Sequence, residues 1–220
     1  MLNHQQQLDY IFDRQITKIE WYYGGNEGKY PFDDGEFHEF YFLEKLFQNP
    51  AADLEKFSND QISLGFNYIF SNTCSEMAEN FRDFDISFDR KLKVIFSLFN
   101  LFEQIFEPRS ERVLSANSQS VLSKINYVCY MFWDITPLSF AGRIPKADAN
   151  QYYQAIATVM QRCLYLQNPA CIKSGLHGLG HLAYQYPNII EPIIDQFLQT
   201  EKLNLALIDY AKSARMGQIA

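Results

Sequence analysis

Residues 168–198 read NPACIKSGLHGLGHLAYQYPNIIEPIIDQFL, and this stretch decides the fold class. The pair Asn168-Pro169 is typical of a helix start, because proline is favoured at the first helical position. Apolar residues then recur with helical spacing as far as Tyr186. Pro187 ends this helix, and a second helix rich in Ile and Leu follows it. The stretch therefore predicts two consecutive helices joined at a proline.

The same helical periodicity extends over nearly the whole chain, and we find no convincing strand pattern. Residues 92–106 are apolar nearly all round, which predicts a central helix. A membrane span needs about 20 apolar residues, so this shorter stretch predicts a buried helix instead. We count about nine helices and no long linker, which predicts one all-α domain over residues 1–220. Within it, residues 1–35 would form a helix and an aromatic, acidic loop, and residues 36–220 a stack of helical pairs.

The stretch 168–198 resembles a HEAT repeat, in which one helix, a turn with proline and an antiparallel second helix form a unit. In such repeats, small and apolar residues of the first helix pack against the second. Here those residues would be Ile172, Leu176, Leu179, Ala183 and Tyr186. Earlier helical pairs are interpreted as degenerate repeats, although no fixed period aligns them. The resemblance implies an irregular HEAT-like scaffold with an extended binding surface, and it implies no chemistry.

The composition is that of a folded protein: hydrophobic residues make up 47% of the chain and aromatic residues 16%. Such a chain can bury enough apolar surface to offset its ordering entropy. The N-terminus shows no basic segment followed by an apolar one, so we expect no secretory signal. The four cysteines form no CxxC pair, which favours reduced core thiols. We therefore expect a cytoplasmic protein without a membrane anchor.

The charge is unevenly distributed along the chain. Residues 1–90 contain 17 acidic and 7 basic residues, a formal net charge of −10, whereas residues 91–220 carry +3. An acidic half repels phosphate backbones, which argues against a nucleic-acid partner. It would attract a basic protein. A solubility role explains the same acidic surface without a partner.

His177 and His181 are the residues that most suggest a metal site. On a helix, side chains four residues apart share a face, so both imidazoles could reach one ion. A metal site needs at least one further ligand, and nothing in the sequence identifies it. A glutamate directly after His177 is also missing, which excludes the HExxH pattern. We therefore predict no metal here, and interpret the two histidines as packing or partner-contact residues.

Gly175, Gly178 and Gly180 are unusual inside a helix, where each costs up to about 1 kcal/mol relative to Ala. A phosphate-binding loop is excluded, because no strand precedes the glycines and no Lys-Ser/Thr follows them. The glycines instead predict a close approach of a neighbouring helix.

The sequence predicts a protein-binding function and no catalytic, cofactor or metal-binding residue. The most concrete hypothesis is an acidic, immunity-type inhibitor that neutralises a basic partner such as a bacterial toxin. The alternatives are a HEAT-like scaffold in a larger assembly and, less favoured, a histidine-dependent metalloenzyme. The partner and the oligomeric state are left open. The candidate partner-binding residues are aromatic, acidic or imidazole side chains: Trp21, Tyr23, Tyr30, Asp33, Asp34, Glu36, Glu39, His177, His181 and Tyr184.

Overall fold

The computed structural model describes residues 3–23, 36–82, 85–114, 123–140, 144–200 and 204–219. Within these ranges the chain is helical and contains no strand, which confirms the predicted all-α class. No helix in the described ranges is long and apolar enough to cross a membrane. The α-helices are α1 (His4–Phe12), α2 (Glu36–Gln48), α3 (Pro50–Leu54), α4 (Asn59–Phe70), α5 (Phe88–Ser97), α6 (Phe99–Leu101), α7 (Glu107–Arg109), α8 (Lys124–Ile135), α9 (Lys146–Cys163), α10 (Pro169–Ala183), α11 (Pro187–Leu198) and α12 (Leu205–Arg215). Short 3-10 turns cover Trp21–Tyr23, Met77–Arg82 and Pro137–Phe140, and Phe102–Phe106 is π-helical.

Local sequence signals set several helix starts. Ser58 and Gln61 form the predicted capping box at α4, in which each side chain bonds the backbone of the other residue. The Asn168 side chain accepts a hydrogen bond from the Ala170 amide at the start of α10, and Pro169 occupies the first turn as predicted. These bonds satisfy backbone amides that have no partner within the helix.

The apolar stretch 92–106 is central, as predicted, but it is not one continuous α-helix. The α-helical pattern is interrupted after Ser97, and Phe102–Phe106 has π-helical hydrogen bonding. Phe102 stacks parallel to Trp133 of α8, with ring centroids 5.8 Å apart and an interplanar angle of 5°. Hydrophobic spacing predicts burial but not hydrogen-bond register, so the sequence pattern could not reveal the π segment.

Helix α10 lies at the centre of the C-terminal half and packs against α8, α9, α11 and α12. Its glycines permit this packing. A Cβ atom at Gly175 would come within 2.7 Å of the Met160 carbonyl oxygen in α9. A Cβ atom at Gly178 would come within 2.6 Å of the Trp133 ring in α8. The predicted close helix approach is therefore confirmed.

The two helices predicted for residues 168–198 are present as α10 and α11, which pack against each other. Tyr186 lies between them and Pro187 is the first residue of α11, so the predicted break is also found. Ile190 and Ile194 of α11 are fully buried. The wider HEAT-like arrangement of helical pairs stays a prediction.

A candidate metal centre where three helices meet

Four polar side chains meet where α8, α10 and α12 pack together. Asp134 lies in the last turn of α8, His177 and His181 lie one turn apart on α10, and Tyr210 lies on α12. Each helix contributes an apolar face to the surrounding core, which holds the polar groups in place. The two histidines are thus brought to a carboxylate that is distant in sequence.

Asp134 bridges the two imidazoles. Its Oδ2 atom lies 2.7 Å from His177 Nε2, and its Oδ1 atom lies 2.9 Å from His181 Nε2. The two Nε2 atoms are 3.2 Å apart. One donor atom from each of the three residues lies within 4.8 Å of the others, which is close enough for all three to bind one ion.

The cluster is buried at one end and open to solvent at the other. His177 is only 3% exposed. The side chains of His181 and Asp134 keep 22% and 25% of their surface accessible. An ion or a small ligand could therefore enter from the side of His181 and Asp134.

Electrostatics favour the ionised form of Asp134. Burial alone would raise the pKa of its carboxyl. Hydrogen bonds to His177 and His181, together with the favourable electrostatic interaction with both rings, outweigh burial and hold that pKa well below the usual range. Asp134 is therefore a carboxylate at neutral pH, the form that accepts hydrogen bonds or binds a metal.

Two tyrosines extend the cluster away from Asp134. The Tyr210 hydroxyl lies 2.6 Å from His177 Nδ1, and the Tyr130 hydroxyl lies 3.3 Å from that of Tyr210. Burial raises the pKa of both phenols, and the Asp134 charge adds to the effect. Both hydroxyls therefore keep their protons at neutral pH and can donate as well as accept.

Lys173 covers the outer side of this aromatic pair. Its Nζ atom lies 4.5 Å from the ring centroid of Tyr130 and 5.0 Å from that of Tyr210. Partial burial lowers the pKa of the ammonium group. Attraction between the cation and the two ring faces offsets part of this desolvation.

The backbone beneath the cluster is fixed by two contacts between α8 and α10. Trp133, the residue before Asp134, fits against Gly178, the residue after His177. One turn earlier, the buried Ser174 hydroxyl donates to the Cys129 carbonyl oxygen. These contacts set the register of α8 against α10 and so place the carboxylate beside both imidazoles.

The predicted partner-binding residues near the N-terminus are in varied surroundings. Trp21 is half-buried and packs against Tyr68, with centroids 4.6 Å apart. Tyr23 is 57% exposed. Glu39 is partly buried and accepts a hydrogen bond from Asn80 Nδ2 at 2.7 Å, and desolvation raises its pKa. Glu39 is thus not part of a fully solvated acidic face.

The remaining predicted residues lie in other parts of the chain. Tyr30, Asp33 and Asp34 are outside the described residues, and Glu36 is the first residue of α2. Tyr184, just after α10, is 93% exposed. His177 and His181 share a face, as predicted, but α8 and α12 cover that face at His177.

Sequence reasoning missed Asp134, Tyr130 and Tyr210. A usable signal did exist for Asp134, because it is the only acidic residue in the aromatic segment KINYVCYMFWDI and directly follows a tryptophan. An acid beside a large apolar side chain in an aromatic helix suggests a specific polar partner. The two tyrosines carry no such signal, because aromatic residues occur throughout this chain.

No protein-family model matches the chain, and neither a curated protein nor a solved structure matches it.

Proposed function

We propose that this protein binds one divalent transition-metal ion through Asp134, His177 and His181. The observation that carries the proposal is the convergence of two imidazole nitrogens and one carboxylate oxygen within 4.8 Å. This differs from the sequence expectation of no metal, for which the third ligand was missing.

The distances between donor atoms suit a small ion. In a tetrahedral Zn²⁺ site with bonds of about 2.0–2.1 Å, neighbouring donors are roughly 3.3 Å apart. Here His177 Nε2 lies 2.7 Å from Asp134 Oδ2, His181 Nε2 lies 2.9 Å from Asp134 Oδ1, and the two Nε2 atoms are 3.2 Å apart. Each imidazole nitrogen therefore already has a carboxylate oxygen and the other nitrogen close to the spacing that a small ion needs.

The donor set favours zinc or a related ion. Imidazole suits Zn²⁺, Fe²⁺, Ni²⁺ and Cu²⁺, whereas Ca²⁺ and Mg²⁺ prefer sites made of oxygen donors. Three protein ligands would leave one coordination position of a four-coordinate ion open to solvent or substrate. A metalloenzyme requires an open position of this kind. Metal binding by these three residues is therefore also the first requirement of the metalloenzyme hypothesis.

The competing interpretation is a hydrogen-bonded polar cluster that needs no ion. Asp134 can accept one hydrogen from each imidazole, and all three side chains would then be satisfied. The two interpretations make opposite predictions about metal content, so a binding measurement separates them.

The test is metal analysis and titration calorimetry on tag-free protein. We expect one equivalent of Zn²⁺ to bind. Loss of a group that only contacts a metal-binding residue typically weakens metal binding 10- to 100-fold. Asp134→Asn and His181→Gln each remove a metal-binding residue itself, so each should weaken Zn²⁺ binding by more than this. The matched control is His4→Gln, because His4 also contacts a carboxylate, Asp53, at 2.6 Å but belongs to no group of three metal-ligand side chains among the described residues. Absence of Zn²⁺ binding by the wild type, or an equal loss in the His4 variant, would overturn the proposal.

A protein-binding function is retained as a second proposal, in the form of an acidic inhibitor of a basic partner. Tyr184 supports it, because a tyrosine that is 93% exposed is a typical interface anchor. The acidic N-terminal half supplies the complementary charge. We would measure the affinity of a purified basic candidate for the wild type, for Tyr184→Ala and for an Asp33→Lys, Asp34→Lys variant. Unchanged affinity in both variants would contradict this form of the proposal.

A further inference from the structure

A hydrogen-bonded chain connects the candidate metal centre to α12 and α8. It runs from Asp134 Oδ2 to His177 Nε2 at 2.7 Å, and from His177 Nδ1 to the Tyr210 hydroxyl at 2.6 Å. It continues from that hydroxyl to the Tyr130 hydroxyl at 3.3 Å. The Tyr210 ring is nearly parallel to the His177 ring, with an interplanar angle of 20°.

Without an ion, donor and acceptor chemistry fixes the direction of this chain. The Asp134 carboxylate can only accept, and it lies 2.7 Å from His177 Nε2, so the His177 tautomer that fits this contact has its single hydrogen on Nε2. Nδ1 then carries a lone pair and accepts from the Tyr210 hydroxyl. The oxygen of Tyr210, having donated its own hydrogen, accepts from Tyr130.

A bound ion requires the opposite direction. His177 Nε2 must then offer its lone pair to the metal, so the ring hydrogen is on Nδ1. Nδ1 donates to the Tyr210 oxygen, and the Tyr210 hydroxyl donates to Tyr130. The ring hydrogen moves from Nε2 to Nδ1 by exchange with solvent, and the number of protons in the chain is unchanged.

We infer that Tyr210 is a positioning residue for the metal ligand His177, and that ion binding reverses the Tyr130–Tyr210–His177 hydrogen-bond chain. The inference rests on the metal-binding function proposed above. A hydroxyl group can serve in both states because it both donates and accepts, which phenylalanine in its place could not do.

One consequence is that metal affinity depends on α12. Tyr210 belongs to α12, whereas the three ligands lie on α8 and α10. Partners that orient a metal-bound histidine typically account for 10- to 100-fold in metal affinity. Loss of the Tyr210 hydroxyl should therefore weaken Zn²⁺ binding although that hydroxyl does not touch the ion.

The first measurement is Zn²⁺ titration of the wild type, Tyr210→Phe and Tyr165→Phe. The last is the matched control, because Tyr165 is 54% exposed and lies between α9 and α10. We expect Tyr210→Phe to weaken binding 10- to 100-fold and Tyr165→Phe to leave it unchanged. Equal affinity in all three proteins would overturn the inference while leaving the metal-binding function intact.

The second measurement is nitrogen NMR of the histidine rings in the wild type, with and without Zn²⁺. The chain has only 4 histidines, and His177→Gln assigns the relevant signals. We expect the His177 hydrogen on Nε2 without Zn²⁺ and on Nδ1 with it, which is the reversal inferred for the hydrogen-bond chain. This readout needs no tyrosine variant, so it still tests the reversal if Tyr210→Phe folds poorly. The same tautomer in both states overturns the inference, and a wild type that binds no Zn²⁺ overturns both proposals.

Discussion

Gly178 lies against the indole ring of Trp133, closer than any residue with a Cβ atom could approach. A Cβ on Gly178 would be 2.6 Å from Cδ1 of Trp133 and 2.7 Å from the Met160 methyl carbon. Trp133 is fully buried and is held on another side by Phe102. Because Asp134 follows Trp133 directly, this contact also determines where the carboxylate lies.

Gly178→Ala should therefore destabilise the fold and weaken metal binding together. Overpacking of a well-packed core costs about 1–3 kcal/mol, and a shift of Trp133 would carry Asp134 away from the imidazoles. Urea unfolding and Zn²⁺ titration measure the two effects. Gly65→Ala is the matched control, since its Cβ would meet the Phe12 ring at 2.2 Å in another part of the core. That variant should lose stability and keep its Zn²⁺ affinity; a parallel loss of affinity there would contradict the register argument.

Addition of Zn²⁺ should raise the melting temperature. An ion that binds only the folded state at 100 times its Kd stabilises the fold by about 2.7 kcal/mol. For a chain of this length that corresponds to roughly 5–10 °C. Differential scanning calorimetry with Zn²⁺, and again after chelation, measures the shift. His181→Gln should show no such increase, and a shift of wild-type size in that variant would point to binding at another site.

Asn168 should contribute more to the stability of the fold than an ordinary helix cap does. Its side chain accepts from the Ala170 amide and donates to the carbonyl oxygens of Glu107 and Ser110, and it is fully buried. Asn168→Ala removes the cap, at about 0.5–2 kcal/mol. It also leaves buried carbonyls without their donor, at about 1–3 kcal/mol.

Asn204→Ala is the matched control for that prediction. Asn204 caps α12 by the same bond to an amide two residues later, but it is exposed. Chemical denaturation should show a clearly smaller loss of stability for Asn204→Ala than for Asn168→Ala. Similar losses would mean that the Glu107 and Ser110 carbonyls add little.

Glu39 should make stability depend on pH in a definite direction. Burial raises the pKa of its carboxyl, and the Asn80 hydrogen bond offsets this only in part. In the pH range between the usual pKa of about 4.3 and the raised one, the folded state binds more protons than the unfolded state. The free energy of unfolding therefore falls as the pH rises through that range.

Glu39→Gln should remove this dependence, because the amide oxygen can still accept from Asn80 without carrying a charge. Relative to the wild type, the variant should gain stability above the raised pKa and show no advantage below about pH 4. Denaturation at a series of pH values measures the difference. A variant that is less stable than the wild type at neutral pH would show that the charged hydrogen bond outweighs desolvation.

Much of the fold could be predicted from the sequence because its signals are local. The capping box at Ser58 and Gln61, the start at Pro169 and the break at Pro187 each depend on neighbouring residues only. The glycines of α10 are also a local signal. Glycine destabilises a helix, so its presence there predicts that a neighbouring element approaches too closely for a larger side chain. Such signals establish which segments are helices and where they begin.

The site depends on information that no local signal contains. His177 and His181 share a face by helical geometry alone, but Asp134 is 43 residues before His177. The register of α8 against α10 decides whether the carboxylate meets them, and that register depends on the fit of Trp133 against Gly178. The interruption of the 92–106 helix was missed on similar grounds, because hydrophobic spacing is nearly the same for α and π turns.

The π-helical segment Phe102–Phe106 changes the rotation of α7 about the helix axis relative to α5 and α6. A π turn holds about one residue more than an α turn, so everything after it is rotated by roughly 100° relative to an uninterrupted α-helix. Glu107 follows immediately, and its carboxylate accepts from the amides of Gln167 and Asn168, just before α10. Deletion of one residue from the segment would turn Glu107 away from those amides. The one additional residue of the π turn thus sets the direction of Glu107. Through that side chain the central aromatic helix is bonded to the start of α10, which carries both histidines.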